Sequence, residues 1–283
     1  MSFVLEHDTI TDGPVDAELV GSSPTATGPT LGDDTARHLR VANVVAGLFH
    51  LVQSVVFLVI ATDFELPITT SFATEDPALL QGTPPTEIWT DVRIGYGVAA
   101  FSLLSAFFHL LVATVANSTY DRAIARSQNP FRWIEYSLSA TLMIVLIIML
   151  LGNYDIGALI GVGAANMSMI LFGWVMERQN TPGRDVDWYP FVFGCIAGIA
   201  PWIVGAIYFA GALGNADEAV PPWVWGIFIS VFVLFNAFAV NQFLQYKAVG
   251  KWRSYVFGEG AYIALSFVAK SALMWQVFFG TSR

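Results

Sequence analysis

Lys270 lies near the middle of the last apolar segment of the chain, Ala261-Tyr-Ile-Ala-Leu-Ser-Phe-Val-Ala-Lys-Ser-Ala-Leu-Met-Trp-Gln-Val-Phe-Phe279, with no acidic residue within two helical turns along that segment. An unpaired ammonium at the centre of a spanning helix costs about 2.5–3.5 kcal/mol on insertion scales, so an intramembrane lysine signals function. Lysines near helix ends escape this cost by snorkelling to the headgroups. Lys270 sits about ten residues before Gly280, about 15 Å at 1.5 Å per residue, too deep for that route. Burial disfavours the ammonium and frees the amine lone pair, the chemistry of a Schiff-base former.

A protonated imine at Lys270 would need a buried counter-ion. Glu135 is the best-placed carboxylate: in Arg132-Trp-Ile-Glu135-Tyr136-Ser137-Leu-Ser139-Ala-Thr141-Leu-Met143, residues Glu135, Ser139 and Met143 share one helical stripe. The plainer account of Glu135 is an interfacial acid paired with Arg132. Glu259 is the other carboxylate to weigh, but it lies about 16 Å from Lys270 on the same helix. Ser266, one turn before Lys270, shares its face. Ser102, Ser105 and His109 on the second apolar segment, with His50 and Gln53 on the first, fit a polar pocket between helices, although each histidine alone reads equally as a structural hydrogen-bonding residue. Asn166, Met169, Ile170 and Gly173, then Pro201 and Trp202, then Phe235, Asn236 and Gln242 supply aromatic and small residues. Gly173 beside Met169 leaves room for a flat polyene; ordinary helix packing accounts for most of this set as well.

These residues need a scaffold of membrane helices. The chain is 55% apolar and 14% aromatic, with a mean hydropathy of +0.60, outside the soluble norm. Seven runs at 37–62, 91–116, 131–152, 155–177, 188–213, 221–246 and 254–280 are each long enough to cross a hydrocarbon core. Arg37, Arg40, Arg122, Arg126, Arg132, Arg178, Arg184, Lys247, Lys251 and Arg253 fall on the side of the amino terminus, and only Arg93 and Arg283 on the other. By the positive-inside rule the amino terminus is cytoplasmic and the carboxyl terminus extracellular, in a multi-pass protein of the cell membrane surrounded by lipid.

Residues 1–36 form an acidic, polar cytoplasmic tail without the apolar core of a signal peptide. Asp33, Asp34 and Thr35 are candidate caps for the first helix. The seven-helix domain covers 37–283 and includes a long extracellular loop at 63–90. There, Glu65-Leu-Pro-Ile-Thr-Thr-Ser-Phe-Ala-Thr74 suits a short β-hairpin, and Gly82-Thr-Pro-Pro85 follows. Lone Cys195, in an apolar run, excludes an internal disulfide and reads as a small core residue. Cys/His metal spacing, phosphate loops, nucleophile elbows and internal repeats are absent.

Seven spans with a lysine in the last and a carboxylate in the third resemble the microbial rhodopsin plan. Trp133-Ile-Glu135-Tyr136-Ser137-Leu-Ser139, Ser266-Phe-Val-Ala-Lys270, Phe191-Val-Phe-Gly-Cys-Ile-Ala-Gly-Ile-Ala-Pro-Trp202 and the inside-located amino terminus are similar to heliorhodopsins, from about residue 37 to the end. The resemblance implies all-trans retinal on Lys270 as a protonated Schiff base with Glu135 as counter-ion, isomerising to 13-cis in a slow photocycle. It places Ser105, His109, His50 and Ser266 around the Schiff base, and Met169, Ile170, Gly173, Trp202, Phe235 and Gln242 at or near retinal, with Ser139 and Met143 on the counter-ion stripe. It also implies a homodimer and a small outer sheet in the first loop.

Ion-pumping rhodopsins carry an aspartate four residues before the lysine, where Ser266 stands here, and a second carboxylate further along the third span, where Leu146 stands. The expectation is a light sensor that signals through an unidentified partner, with no nucleic acid bound. A light-gated ion channel or a small-solute transporter is the alternative; only Pro201 hints at the broken helix a transporter needs. A membrane enzyme using His50, His109 and Glu135 lacks a second acid or histidine pair at ligand spacing, so no enzymatic activity is expected.

Overall fold

The computed structural model describes residues 29–71, 85–215 and 222–281. Its elements run α1 (Asp33–Ile60), β1 (Glu65–Ser71), β2 (Thr86–Arg93), α2 (Ile94–Ala113), α3 (Asn117–Ala125), α4 (Pro130–Leu150), α5 (Ile156–Gln179), α6 (Tyr189–Asn215), α7 (Pro222–Tyr246), a 3-10 turn at Gly250–Arg253 and α8 (Tyr255–Thr281). Seven of these helices, all except α3, are long and apolar enough to cross a membrane. Twenty residues, the shortest of the seven, already span about 30 Å.

Their outer faces carry exposed Val45, Val52, Ile160, Ile196, Ile207 and Phe279, as lipid-facing helices do. Cys195 belongs to this outer surface and is exposed, contrary to the core placement its apolar neighbours suggest. In a membrane the apolar surroundings of a side chain can be lipid as well as protein.

One end of the bundle gathers the start of α1, the end of α2, α3, the start of α4 and of α8 and the end of α5. Arg40 Nε donates to Ala113 O at 2.9 Å there. Asn129 caps α4 by accepting the Arg132 backbone N–H at 3.1 Å, with Pro130 in the first turn. The first helix begins earlier than hydropathy suggests, with Gly32 at the N-cap and no side-chain cap. Asp33 and Asp34 instead occupy the first turn, where they face the positive end of the helix dipole. Pro201 does not break α6, which runs through it; neighbouring helices let membrane helices tolerate proline.

The opposite end carries the expected hairpin. β1 and β2 pair antiparallel from Glu65↔Arg93 to Ser71↔Thr86, with a bulge at Ile68/Thr69. The second strand takes residues 91–93 from the expected second span, so α2 starts at Ile94. Leu66 packs into the main core with Phe57, Ile94, Val98, Phe101 and Met143, and Thr69 N donates to Tyr154 O at 2.8 Å. Residues 1–28 of the tail and 72–84 of the loop, with Phe72, Ala73 and Thr74 of the expected hairpin stretch and Gly82, Thr83 and Pro84, lie outside the described residues.

Candidate functional site

Lys270 and Glu135 meet inside the bundle, each 3% exposed. Lys270 Nζ donates to Glu135 Oε1 at 2.6 Å and to Ser266 Oγ, one turn earlier on α8, at 3.0 Å. Ser105 Oγ on α2 donates to the same Glu135 oxygen at 2.7 Å. The Tyr136 ring lies under the ammonium, 5.1 Å from Nζ. A buried pair of this kind adds little net stability, but removing one partner strands the other charge at a cost of about 3–5 kcal/mol.

The cation-binding carboxylate thus comes from α4 and the amine from α8, as the sequence suggests. The alternative pairing of Glu135 with Arg132 does not occur. Arg132 bonds instead to Glu177 and Glu259.

On one side of Lys270 lies an apolar cavity of about 110 Å³ lined by Trp133, Tyr136, Ala140, Met143, Met169, Ile170, Gly173, Phe235, Phe238, Ala239, Gln242, Tyr262, Ala269 and Lys270. It gathers Met143, Met169, Ile170, Gly173, Phe235 and Gln242 from the sequence reading. Gln242 Nε2 is tied to Gly173 O at 3.0 Å. Glycine is required at 173: a Cβ there would fall 2.5 Å from Trp133 Cζ3.

Trp202 is not part of this lining. It borders a neighbouring cavity of about 250 Å³ that shares Met169, Gly173, Phe235, Ala239 and Gln242 with the first. Asn236, exposed on α7, lines that second space. Trp133, Tyr136, Phe238 and Tyr262 are wall residues that sequence reasoning missed. Trp133, Tyr136, Ala140 and Met143 recur at helical spacing along α4, a stripe that was legible but not distinguishable from core.

On the other side of Lys270 the environment is polar. His50 and His109 stack with centroids 5.9 Å apart. Ser102 Oγ lies 3.3 Å from His50 Nδ1, and His109 Nδ1 is 2.7 Å from Asn43 Oδ1. Because the amide oxygen only accepts, that histidine nitrogen carries the hydrogen. Gln53 accepts from Ser271, next to Lys270 in the chain, at 3.0 Å. Ser139, fully buried, has no hydrogen-bond partner for its Oγ among the described residues. Asn166 ties to Thr141 at 3.1 Å.

Beyond the histidines is a second charged centre. Arg132, Glu177 and Glu259 are 6%, 2% and 2% exposed; Asn129 donates its backbone N–H to Glu177 Oε1 at 2.5 Å and its Nδ2 to Glu259 Oε1 at 2.7 Å. Tyr255 OH reaches Glu177 Oε2 at 3.0 Å, and Tyr120 OH, from α3, reaches Glu259 Oε1 at 3.2 Å. Burial, reinforced by the Glu259 carboxylate, pushes the Tyr120 phenol well above its usual range, so it keeps its proton. The sequence gives Arg132 and Glu177 the look of loop charges, and only the fold shows them buried together.

The family model for heliorhodopsins matches residues 39–282. No curated protein matches the chain. Among solved structures, the crystal structure of thermophilic rhodopsin superposes with a TM-score of 0.57 at 14% identity, covering 89% of this chain and 95% of that one, a likeness of fold. With the match running over nearly the whole helical domain, the chain belongs to the heliorhodopsin family.

Proposed function

We propose that the protein is a light-sensing photoreceptor in which all-trans retinal is bound to Lys270 as a protonated Schiff base, with Glu135 as counter-ion, and that it signals without moving ions. The observation that carries this reading is the buried Lys270–Glu135 pair at the wall of an apolar cavity. The residues fit such a ligand: a primary amine opens onto an aromatic channel, and the absence of a side chain at Gly173 lets the Trp133 ring close in as part of its wall. When bound, retinal supplies visible absorption and all-trans to 13-cis isomerisation.

The chain's own residues supply the rest. Lys270 Nζ provides the nucleophile, and Glu135 balances the positive charge that remains at that nitrogen. Ser105 and Ser266 hold the oxygen and the nitrogen of the pair in place. Met143, Met169, Ile170, Gly173 and Phe235 shape the slot, Gln242 closes its polar end, and Trp202 stands in the adjoining space. His50 and His109 offer nearby sites for a proton on the tail side. Toward the hairpin, the α4 stripe continues through Met143, Leu146 and Ile147, all buried, with no carboxylate to return a proton from that side. A proton that leaves Nζ therefore goes back the way it came, and net transport fails.

The reading includes a homodimer in membrane lipid, an amino terminus in the cytoplasm and an unidentified signalling partner. The test is expression with all-trans retinal and a visible spectrum before and after hydroxylamine. A coloured band bleached by hydroxylamine is expected. A colourless protein, or colour that resists hydroxylamine in the light, refutes the reading.

A further inference from the structure

The Arg132 centre holds two carboxylates and one guanidinium, and none of the other ion pairs among the described residues reaches it. With both acids ionised it keeps one negative charge uncompensated in the interior, where burial strongly disfavours an unpaired charge. One further positive charge removes that cost. Arg132 Nε, buried and without an acceptor among the described residues, can only donate, so a proton supplying that charge has to be carried by one of the two carboxylates. Arg132 lines a cavity of about 30 Å³ together with Glu259, Tyr120, Asn43, His109 and Glu135. That volume has room for about two waters and for nothing larger.

Both acids accept from donor-only groups of Asn129 and each faces a tyrosine hydroxyl; what separates them is the cavity, which Glu259 lines together with Tyr120 and Glu177 does not. Glu259 Oε1 faces the Tyr120 hydroxyl, which can turn from donor to acceptor. We propose that Glu259 is a proton-binding site holding the one proton that balances the Arg132–Glu177–Glu259 centre, and that gain or loss of this proton is passed to α3 through Tyr120. The bound species is H⁺, exchanged through the small cavity with the His109 and Glu135 side.

The transmission follows from how α3 is fastened. Tyr120, 1% exposed, and Ile124 are its buried residues, packed on Leu39, Val112 and Tyr255, while Arg122 and Arg126 face outward. Among the described residues the Tyr120 hydroxyl donates to Glu259 and accepts from Asn43 Nδ2 at 3.4 Å. With the proton on Glu259 its O–H donates to Tyr120, whose own hydrogen then turns into the small cavity, because Asn43 Nδ2 can only donate. Without it, Tyr120 donates to the carboxylate. The hold on α3 changes with the direction of that one bond.

The proton site itself does not depend on retinal, whereas its use in light rests on the photoreceptor reading, so the two are tested apart. In protein prepared without retinal, infrared spectra are expected to show a protonated-carboxyl band that shifts in D₂O, disappears in Glu259→Gln and persists in Glu177→Gln and Glu135→Gln. Glu259→Gln, an isostere of the neutral acid, is expected to keep the parent melting temperature, while Glu177→Gln lowers it. A band that survives Glu259→Gln, or a Glu259→Gln protein as unstable as Glu177→Gln, overturns the assignment. In the retinal-loaded protein, illumination is expected to perturb that band and to speed amide exchange over 117–125 several-fold in the parent but not in Tyr120→Phe. A pigment that photoreacts with unchanged exchange at 117–125 overturns the link to α3. A chain that forms no pigment fails the photoreceptor reading and leaves the dark result to stand or fall by itself.

Discussion

At the scale of single residues, the account rests on how few side chains can replace one another. Lys247 and Lys251 are exposed, so Lys270→Ala is expected to give a colourless protein, and changing either of the other two leaves the colour intact; the visible spectrum decides. Glu135→Gln removes the negative charge that stabilises a positive nitrogen in the ground state. Its absorption is expected at longer wavelength, and an unchanged spectrum would transfer the counter-ion role elsewhere. Gly173→Ala puts a methyl against Trp133; overpacking of this kind costs about 1–3 kcal/mol, and the variant is expected to take up retinal in lower yield, read as the ratio of visible to ultraviolet absorbance. Lys270 and Glu135 were legible from sequence because a charge inside an apolar run has few explanations. Glu177 was not, since Arg178 and Gln179 beside it give the look of a helix end in water, and nothing local shows that α4 and α8 close over it.

At the scale of elements, the helices were legible and their ends were not. Apolar length identifies a span, but caps and strands set where it stops: Gly32 rather than Asp33 is the N-cap of α1, and β2 runs to Arg93 before α2 begins. The short helix α3 escaped notice because nine residues with a polar outer face carry no hydropathy signal. Pro201 misled for the opposite reason, since proline interrupts soluble helices far more often than membrane ones. Asn129 joins two elements, capping α4 and donating to Glu259 on α8. Asn129→Ala is therefore expected to lose about 2–3 kcal/mol, the sum of a cap and a bond to a buried charged centre. Asp155→Ala, which removes only the cap of α5 at 2.9 Å, is expected to lose about 1 kcal/mol. Thermal melting of the two variants side by side checks the difference, and equal losses would mean that the Asn129 contact to Glu259 adds nothing.

At the scale of the whole molecule, the histidines and every buried carboxylate named above lie at or on the tail side of Lys270, while the hairpin side has a packed apolar layer and uncharged pairs such as Ser271–Gln53 and Gln276–Ser230. That asymmetry was only partly readable: Leu146 in place of a carboxylate shows in the sequence, while the layer of Phe101 on α2, Met143, Ile144 and Ile147 on α4 and Leu273 and Met274 on α8 is assembled only by the fold. A closed layer on one side predicts that illuminated cells in weak buffer show no sustained pH change and that voltage-clamp records show no steady photocurrent at zero voltage. A pH change abolished by a protonophore would indicate a pump, and a current reversing with voltage would indicate a channel. All of this presupposes where the chromophore is attached. Borohydride reduction of the pigment followed by peptide mapping tests that most directly: the account predicts the retinyl group on the peptide containing Lys270, and its recovery on Lys247 or Lys251, or on no peptide of a coloured protein, would contradict it.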